Sequence, residues 1–172
     1  MDNQQERSTL SLEFLAGLIV GEGSYGIGIV RQTKFIELRP HFTLRMNDLE
    51  TIDRLQESFA VYRLPLYRTP KLYAGCATVT VTGIKRLRQH LDVFLPLLTG
   101  KKAEAAQVVS DFIDRRLTEA FWRNYDETDI QAIERLREIN GPNARRLSLE
   151  ILRDYTRGTK PPTERKRGLA KR

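Results

Sequence analysis

The stretch LEFLAGLIVGEGSY, residues 12–25, is predicted to join a helix to a strand through a glycine, an acid and a glycine. Apolar residues recur at helical spacing from Leu10, so we predict a helix over about residues 10–20. After Gly23 the spacing changes to alternation, which predicts a strand with one buried face. Glu22 therefore stands where the chain turns from helix to strand.

The position of Glu22 requires an explanation. A carboxylate at the C-terminus of a helix faces the negative end of the helix dipole, which is unfavourable unless a partner compensates it. Mg²⁺ is one such partner, because it binds carboxylate and backbone carbonyl oxygens. The alternative is a surface acid in a loop that only ends the helix.

Gly17 and Gly21 lie four residues apart, so they share a helical face and permit close approach of a second helix.

A second strand is predicted over residues 38–46, where it forms a long hairpin with the first. Asn47 and Glu50 then form a capping-box pattern that opens a helix. Two further strands are predicted near 64–68 and at 75–82.

Thr82 is predicted to cap a third helix that runs to about residue 94, with His90 on its surface. From Lys101 onward the pattern is helical. The order of these elements predicts an α+β fold with one four-stranded antiparallel sheet and helices on one of its faces.

The composition, 40% hydrophobic and 30% charged with a net charge of +7, is typical of a globular protein with a polyanionic partner. Much of the charge lies in residues 158–172, where six Lys and Arg side chains stand against one Glu. This basic tail is predicted to be disordered, and either contacts phosphate or only aids solubility.

One Cys and two distant His residues favour a hard, oxygen-bound metal over a zinc site. With no leader pattern, we expect an intracellular protein of the cytoplasm, nucleoid or an organelle.

LAGLIVGEG, residues 15–23, resembles the signature of the LAGLIDADG homing endonucleases, and GSYGI after it resembles the usual opening of their first strand. The predicted order of elements is similar to the αββαββα core of that family. The helical end resembles its single-motif, homodimeric members. The resemblance implies one endonuclease domain over residues 1–157, with a core over about 8–121 and C-terminal helices over about 127–157, followed by the basic tail.

The resemblance also implies an activity. Members of the family are often intron-encoded nucleases that make a double-strand break with 3′ overhangs in a long pseudo-palindromic DNA site. Two signature helices, one from each subunit, would pack together and place Glu22 at the scissile phosphate. Glu22 and the Gly21 carbonyl are the implied ligands of Mg²⁺, for which Mn²⁺ is expected to substitute. The implied dimer interface consists of Phe14, Gly17, Leu18 and Gly21.

For two further roles implied by the resemblance, more than one residue of this sequence is a candidate. Lys101, or Lys102 beside it, falls where single-motif members carry a lysine near the reacting phosphate; the alternative is a surface lysine in the first turn of a helix. The water-orienting polar residue of the family falls on Met46, so either Asn47 or Arg45 substitutes or the water network differs. Two alternative functions use the same fold: a catalytically weak DNA-binding regulator, and an intron maturase that binds RNA.

The sheet face opposite the helices is the expected DNA reader, because alternate side chains of a curved ribbon lie over base edges in the major groove. Arg39 and Arg45 are candidates for guanine contacts and Gln32 for an adenine contact. Gly26 and Gly28 are expected to let the DNA backbone approach closely. The alternative is an ordinary solvated sheet face. The predicted DNA-binding residues are Ser24, Gly26, Gly28, Val30, Gln32, Arg39, His41, Thr43, Arg45, Arg68, Lys71, Tyr73, Thr78 and Thr80, with Asn143, Arg145 and Arg146 on backbone phosphates.

Overall fold

The computed structural model describes residues 9–31, 36–70, 72–118, 125–141, 149 and 152–153. The predictions made for Gln32, Lys71, Asn143, Arg145, Arg146 and the tail 158–172 lie outside the described residues. The elements are α1 Leu12–Glu22, β1 Gly23–Arg31, β2 Ile36–Met46, α2 Leu49–Val61, β3 Tyr67–Arg68, β4 Ala77–Thr82, α3 Ile84–Phe94, a short 3₁₀ turn Leu95–Leu97, α4 Gly100–Thr118 and α5 Glu127–Asn140. None of the helices in this part of the chain is long and apolar enough to cross a membrane.

The four strands form one antiparallel sheet in the order β1-β2-β4-β3. β1 pairs with β2 along its whole length, from Gly23 opposite Leu44 to Arg31 opposite Ile36. β4 pairs with the second half of β2, and the two-residue strand β3 completes the sheet on the far side. The predicted α+β class and its four-stranded antiparallel sheet are confirmed.

Alternation along the strands separates the two faces of the sheet. Tyr25, Phe42 and Val79 are buried and point towards the helices. Their neighbours in the chain, such as Thr43 and Thr80, are only half-buried. We call the second face the reading face, and define it by Ser24, Gly26, Gly28 and Val30 of β1, Glu37, Arg39, His41, Thr43 and Arg45 of β2, and Thr78, Thr80 and Thr82 of β4, which are opposite one another in the strand register.

Two predicted helix caps and one predicted strand are wrong, and at α2 the reason is that the adjacent residues Asn47 and Asp48 can both cap a helix. α2 is capped by Asp48, whose carboxylate accepts a hydrogen bond from the Thr51 amide at 3.2 Å, and the predicted capping box of Asn47 and Glu50 does not form. Gly83, with φ of 89°, occupies the N-cap of α3 in place of Thr82. The strand predicted near 64–68 is reduced to Tyr67–Arg68.

His90 is fully buried, which corrects the prediction that it lies on the surface of α3. Its Nε2 lies 2.9 Å from the Tyr25 hydroxyl, and its ring centroid is 4.5 Å from that of Phe42 and 4.8 Å from that of Phe94. Burial lowers the pKa of His90 to about 3, so the ring is neutral. Leu87, His90 and Phe94 share the buried stripe of α3, a helical spacing that could have revealed its position.

The C-terminal helices are joined to each other by a buried ion pair. Asp129, at the start of α5, is fully buried and accepts a hydrogen bond from Arg116 of α4, while Arg115 Nη2 lies 3.2 Å from its other oxygen. Asp129 and Asp126 also form a reciprocal capping box that starts α5. This arrangement fixes α5 against α4, and α5 in turn reaches the edge of β1.

Candidate metal site and nucleic-acid interface

The transition from α1 to β1 is so tight that only glycine fits after Glu22. α1 begins at the N-cap Ser11, whose hydroxyl accepts from the Phe14 amide at 3.2 Å. At the other end the Gly23 amide donates to the Ile19 carbonyl. A Cβ on Gly23 would lie 2.5 Å from that carbonyl oxygen and 2.9 Å from Phe42 Cε2. Gly23 therefore allows the chain to enter the sheet at once, and leaves Glu22 exposed at the end of the helix.

One face of α1 is open. Phe14 is 53% exposed, and Gly17 and Gly21 are exposed as well. A Cβ added to Gly17 or Gly21 would meet no atom within 4 Å. Among the residues that the structure describes, nothing covers this face. We call it the small-residue face, and define it by Phe14, Gly17, Leu18 and Gly21. Three of the four predicted interface residues are thus exposed, whereas Leu18 is half-buried and also packs against the hydrophobic core.

Glu22 can provide a hard oxygen ligand. Its carboxylate is exposed, the last turn of α1 has no basic residue, and no cation in the described ranges forms an ion pair with Glu22. Carbonyls in the last turn of a helix have no amide partner further along the helix, so the Gly21 carbonyl is a second candidate oxygen. A carboxylate and a carbonyl fit the ligand preference of Mg²⁺.

Lys102, and not Lys101, reaches this region. The Nζ of Lys102 donates a hydrogen bond to the Gly23 carbonyl, immediately after Glu22, whereas the side chain of Lys101 is exposed. Asn140 at the end of α5 donates to the Tyr25 carbonyl at 2.9 Å. Both carbonyls lie on the free edge of β1, so α4 and α5 fix the segment that follows Glu22. Asn140 is a positioning residue that the sequence did not reveal.

At the end of β2, the side chains of Met46 and Asn47 have different environments. Met46 lies opposite Ala77 in the register and packs against the hydrophobic core, so its side chain is a packing element. Asn47 follows the strand and is exposed. Of the two polar residues predicted to replace the missing one, Arg45 lies on the reading face and Asn47 lies beyond its end.

The arginines of the reading face are held by neighbours. Arg39 forms a bidentate ion pair with Glu37, at 2.8 and 3.1 Å, and this pairing raises the pKa of Arg39. Arg45 donates from Nε to the Thr78 hydroxyl at 3.3 Å, and its guanidinium carbon lies 5.1 Å from the centre of the Tyr73 ring. Glu37 was not anticipated from the sequence. Its carboxylate must release Arg39 before that guanidinium can contact a base.

Two other predicted DNA contacts are placed differently. Arg68 lies opposite the buried Val79 in the register, and its Nη1 bonds to Asp53 of α2. Its guanidinium therefore stabilises the contact between sheet and helix. Tyr67 lies opposite Thr80 in the register, so its side chain is on the same side of the sheet as the reading face. Tyr67 was not predicted to contact DNA. Tyr73, 65% exposed, projects from the turn before β4.

Gly26 has a local reason to be a glycine. The ring of His41 lies across β1, and a Cβ on Gly26 would be 2.9 Å from His41 Nε2. A Cβ on Gly28 would be 3.7 Å from the same ring, which is an ordinary van der Waals contact. Gly26 therefore leaves room for the imidazole of His41, and the expectation that both glycines let the DNA backbone approach closely stays a prediction.

Comparison with known proteins gives a likeness in fold. No protein-family model matches the chain, and no curated protein matches it in sequence. The homing endonuclease I-CvuI, in complex with a DNA target in the presence of Mg, superposes with a TM-score of 0.69 at 18% identity, covering 86% of this chain and 93% of that one. The archaeal intron-encoded homing endonuclease I-Vdi141I, complexed with DNA, gives a TM-score of 0.68 at 12% identity, covering 86% and 95%.

A third similar structure has a chain about twice as long as the part that aligns with this protein. The LAGLIDADG homing endonuclease I-SmaMI, bound to cleaved DNA, gives a TM-score of 0.59 at 16% identity. The alignment covers 89% of this chain but only 50% of I-SmaMI. The resemblance inferred from residues 15–23 is confirmed at the level of the fold. The protein has the fold of the LAGLIDADG homing endonucleases, in the form in which one chain contains a single copy of the unit.

Proposed function

We propose that the protein is a site-specific DNA endonuclease that works as a homodimer and cuts both strands of a long pseudo-palindromic site, leaving 3′ overhangs. The observation that carries the proposal is the position of Glu22. It is an exposed acid at the end of a helix whose small-residue face is open, and it lies next to the Lys102 contact on β1. The likeness to structures described as homing endonucleases complexed with DNA supports the same assignment.

Dimerisation through α1 would complete the site. The small-residue face combines an exposed aromatic ring, Phe14, with two glycines that allow the backbones of two helices to approach closely. A two-fold axis beside this face brings the two copies of Glu22 together, because an isologous interface repeats each contact. That I-SmaMI is about twice as long as the matched unit agrees with a requirement for two units.

Glu22 and the Gly21 carbonyl would hold Mg²⁺, and Mn²⁺ is expected to substitute because it accepts the same oxygen ligands. When bound, a divalent cation lowers the pKa of water and neutralises charge on a phosphate. Lys102 would place its ammonium group near the scissile phosphate and stabilise negative charge there. Asn140 keeps the β1 edge in place behind Lys102. Asn47, exposed at the end of β2, is left as the polar residue able to orient water.

The reading face would recognise the DNA. Its exposed or half-buried polar side chains on β1, β2 and β4 form a continuous surface on the side of the sheet away from the helices. Arg45, aligned by Thr78 and Tyr73, is suited to a guanine contact. Arg39 becomes available once its pairing with Glu37 is exchanged for a base or a phosphate.

A second candidate function follows from Met46. Its side chain belongs to the core, so the polar position found in cutting enzymes of this family is absent at that point of β2. A DNA-binding regulator with weak catalysis would tolerate this loss. An intron maturase would use the same positive surface for RNA.

A plasmid library of randomised pseudo-palindromic sites, incubated with the protein and Mg²⁺, tests the proposal. We expect linear plasmids whose sequenced ends share one site and carry 3′ overhangs. Retention of DNA without any linear product supports the regulator. Preferential retention of a structured intron RNA over duplex DNA supports the maturase. Either of these two results would overturn the proposal.

A further inference from the structure

The geometry of the reading face points to a specificity-determining residue at its centre. We propose that the imidazole of His41, which lies over Gly26 of β1, presents its Nε2 lone pair to the major groove. It would thereby select a base that offers an amino group, adenine or cytosine. The inference rests on the proposed function, since it requires that the reading face contacts duplex DNA.

The imidazole of His41 has room on β1 because Gly26 has no side chain. His41 of β2 lies directly opposite Gly26. A Cβ on Gly26 would lie 2.9 Å from His41 Nε2 and 3.0 Å from Cε1, closer than such a contact allows. A Cβ on Gly28 would lie 3.7 Å from His41 Cε1 and Nδ1. The ring therefore lies on β1 in the space that a side chain at Gly26 would fill, and it would make only an ordinary contact with a Cβ at Gly28.

A backbone contact fixes which nitrogen of the ring carries the proton. His41 Nδ1 lies 3.2 Å from the carbonyl oxygen of Arg39. A carbonyl only accepts hydrogen bonds, so Nδ1 must be the protonated nitrogen. In a neutral imidazole the other nitrogen, Nε2, then has a lone pair and no hydrogen. The contact thus turns His41 into an acceptor.

The surroundings of His41 favour the neutral ring. Burial lowers the pKa of His41, and the contact with the Arg39 carbonyl opposes this only in part. The charged groups nearby on β2 are Arg39 and Glu37, which neutralise each other. The residues opposite His41, Gly26 on β1 and Thr82 on β4, have no charge. Near neutral pH the ring therefore keeps its lone pair.

An acceptor at this position discriminates between bases. In the major groove adenine and cytosine present amino donors, N6 and N4, whereas guanine and thymine present the carbonyl acceptors O6 and O4. The neutral ring of His41 can bond to the first pair and is repelled by the carbonyls of the second. The expected result is a preference for adenine or cytosine at one position of each half-site.

The test is selection of binding sites from a randomised duplex library in Ca²⁺, which separates recognition from cleavage. The wild type, His41→Ala and Gly26→Ala are compared, with Gln89→Ala, an exposed position on α3, as the control. We expect both reading-face variants to lose discrimination at the same single position by roughly five- to tenfold. Gly26→Ala acts by displacing the ring, and Gln89→Ala should retain the wild-type preference.

The outcomes separate this inference from the proposed function. A wild type that binds without any sequence preference overturns both. Specific binding that His41→Ala leaves unchanged at every position overturns the role of His41 alone. A second readout does not depend on variants: long-range ¹H–¹⁵N spectra at neutral pH should show His41 protonated at Nδ1. A ring protonated at Nε2 would contradict the inference.

Discussion

Replacing Gly17 by Ala should stabilise the protomer and weaken the dimer. Gly17 lies in the middle of α1, and a Cβ there would meet no atom within 4 Å among the described residues outside its own helix. No clash opposes the gain in helix propensity, which is about 1 kcal/mol for Gly to Ala in a helix interior, or roughly fivefold in the folding equilibrium. Two added methyl groups would instead separate the two α1 helices of a dimer, and overpacking costs about 1–3 kcal/mol, so the dimer Kd should rise about tenfold.

Sedimentation velocity over a range of concentrations gives the dimer Kd, and urea unfolding at the same concentrations gives the stability. Wild-type stability should rise with concentration, because association stabilises the folded state by mass action. Gly17→Ala should show a weaker rise and a higher stability at the dilute end. Gln131→Ala, at an exposed position on α5, is the control and should keep the wild-type Kd. An unchanged Kd for Gly17→Ala, or lower stability at every concentration, would refute the reasoning.

Three further predictions follow from the buried and polar contacts. The folded-state pKa of His90, about 3, lies below its ordinary value of 6.5, so the unfolded chain binds more protons between these values and stability falls as pH drops through that window. From about pH 6.5 to 4.5 this loss is about 2 kcal/mol; it should largely disappear in His90→Leu, and equal pH profiles by urea unfolding would contradict it. Asp129→Ala should cost about 3–5 kcal/mol in the same assay, because it leaves Arg116 buried without its partner; a loss below 1 kcal/mol would show that the pair is dispensable. Lys102→Met should slow single-turnover cleavage at least tenfold with little change in DNA affinity, while the matched variant Lys101→Met should cut at nearly the wild-type rate; the reverse order would restore Lys101 as the active-site lysine.

The alternation of apolar and polar residues along the strands was sufficient to predict the antiparallel sheet. Phe42 and Leu44 alternate with His41 and Thr43, and alternation of this kind places every second side chain on the same face. The glycine after Glu22 likewise marked the end of α1. These features depend on neighbours in the chain, so local rules recover them.

Features that depend on distant partners were harder to predict. His90 is polar, yet its partner Tyr25 is 65 residues away in the chain. Arg68 faces α2 because of the register of β3 against β4, which the sequence does not specify. Each helix residue advances the side chain by about 100°, so which of Lys101 and Lys102 reaches β1 depends on the first residue of α4 and its packing.

Glu22 is proposed to hold the metal needed for cleavage, and this role can be tested by measuring binding and cleavage on the same selected site. Affinity is measured in Ca²⁺ and single-turnover cleavage in Mg²⁺ for the wild type, Glu22→Gln and Glu13→Gln, an exposed acid at the start of the same helix. We expect all three proteins to bind the site and only Glu22→Gln to fail to cut it. Cleavage by Glu22→Gln at the wild-type rate would contradict this expectation.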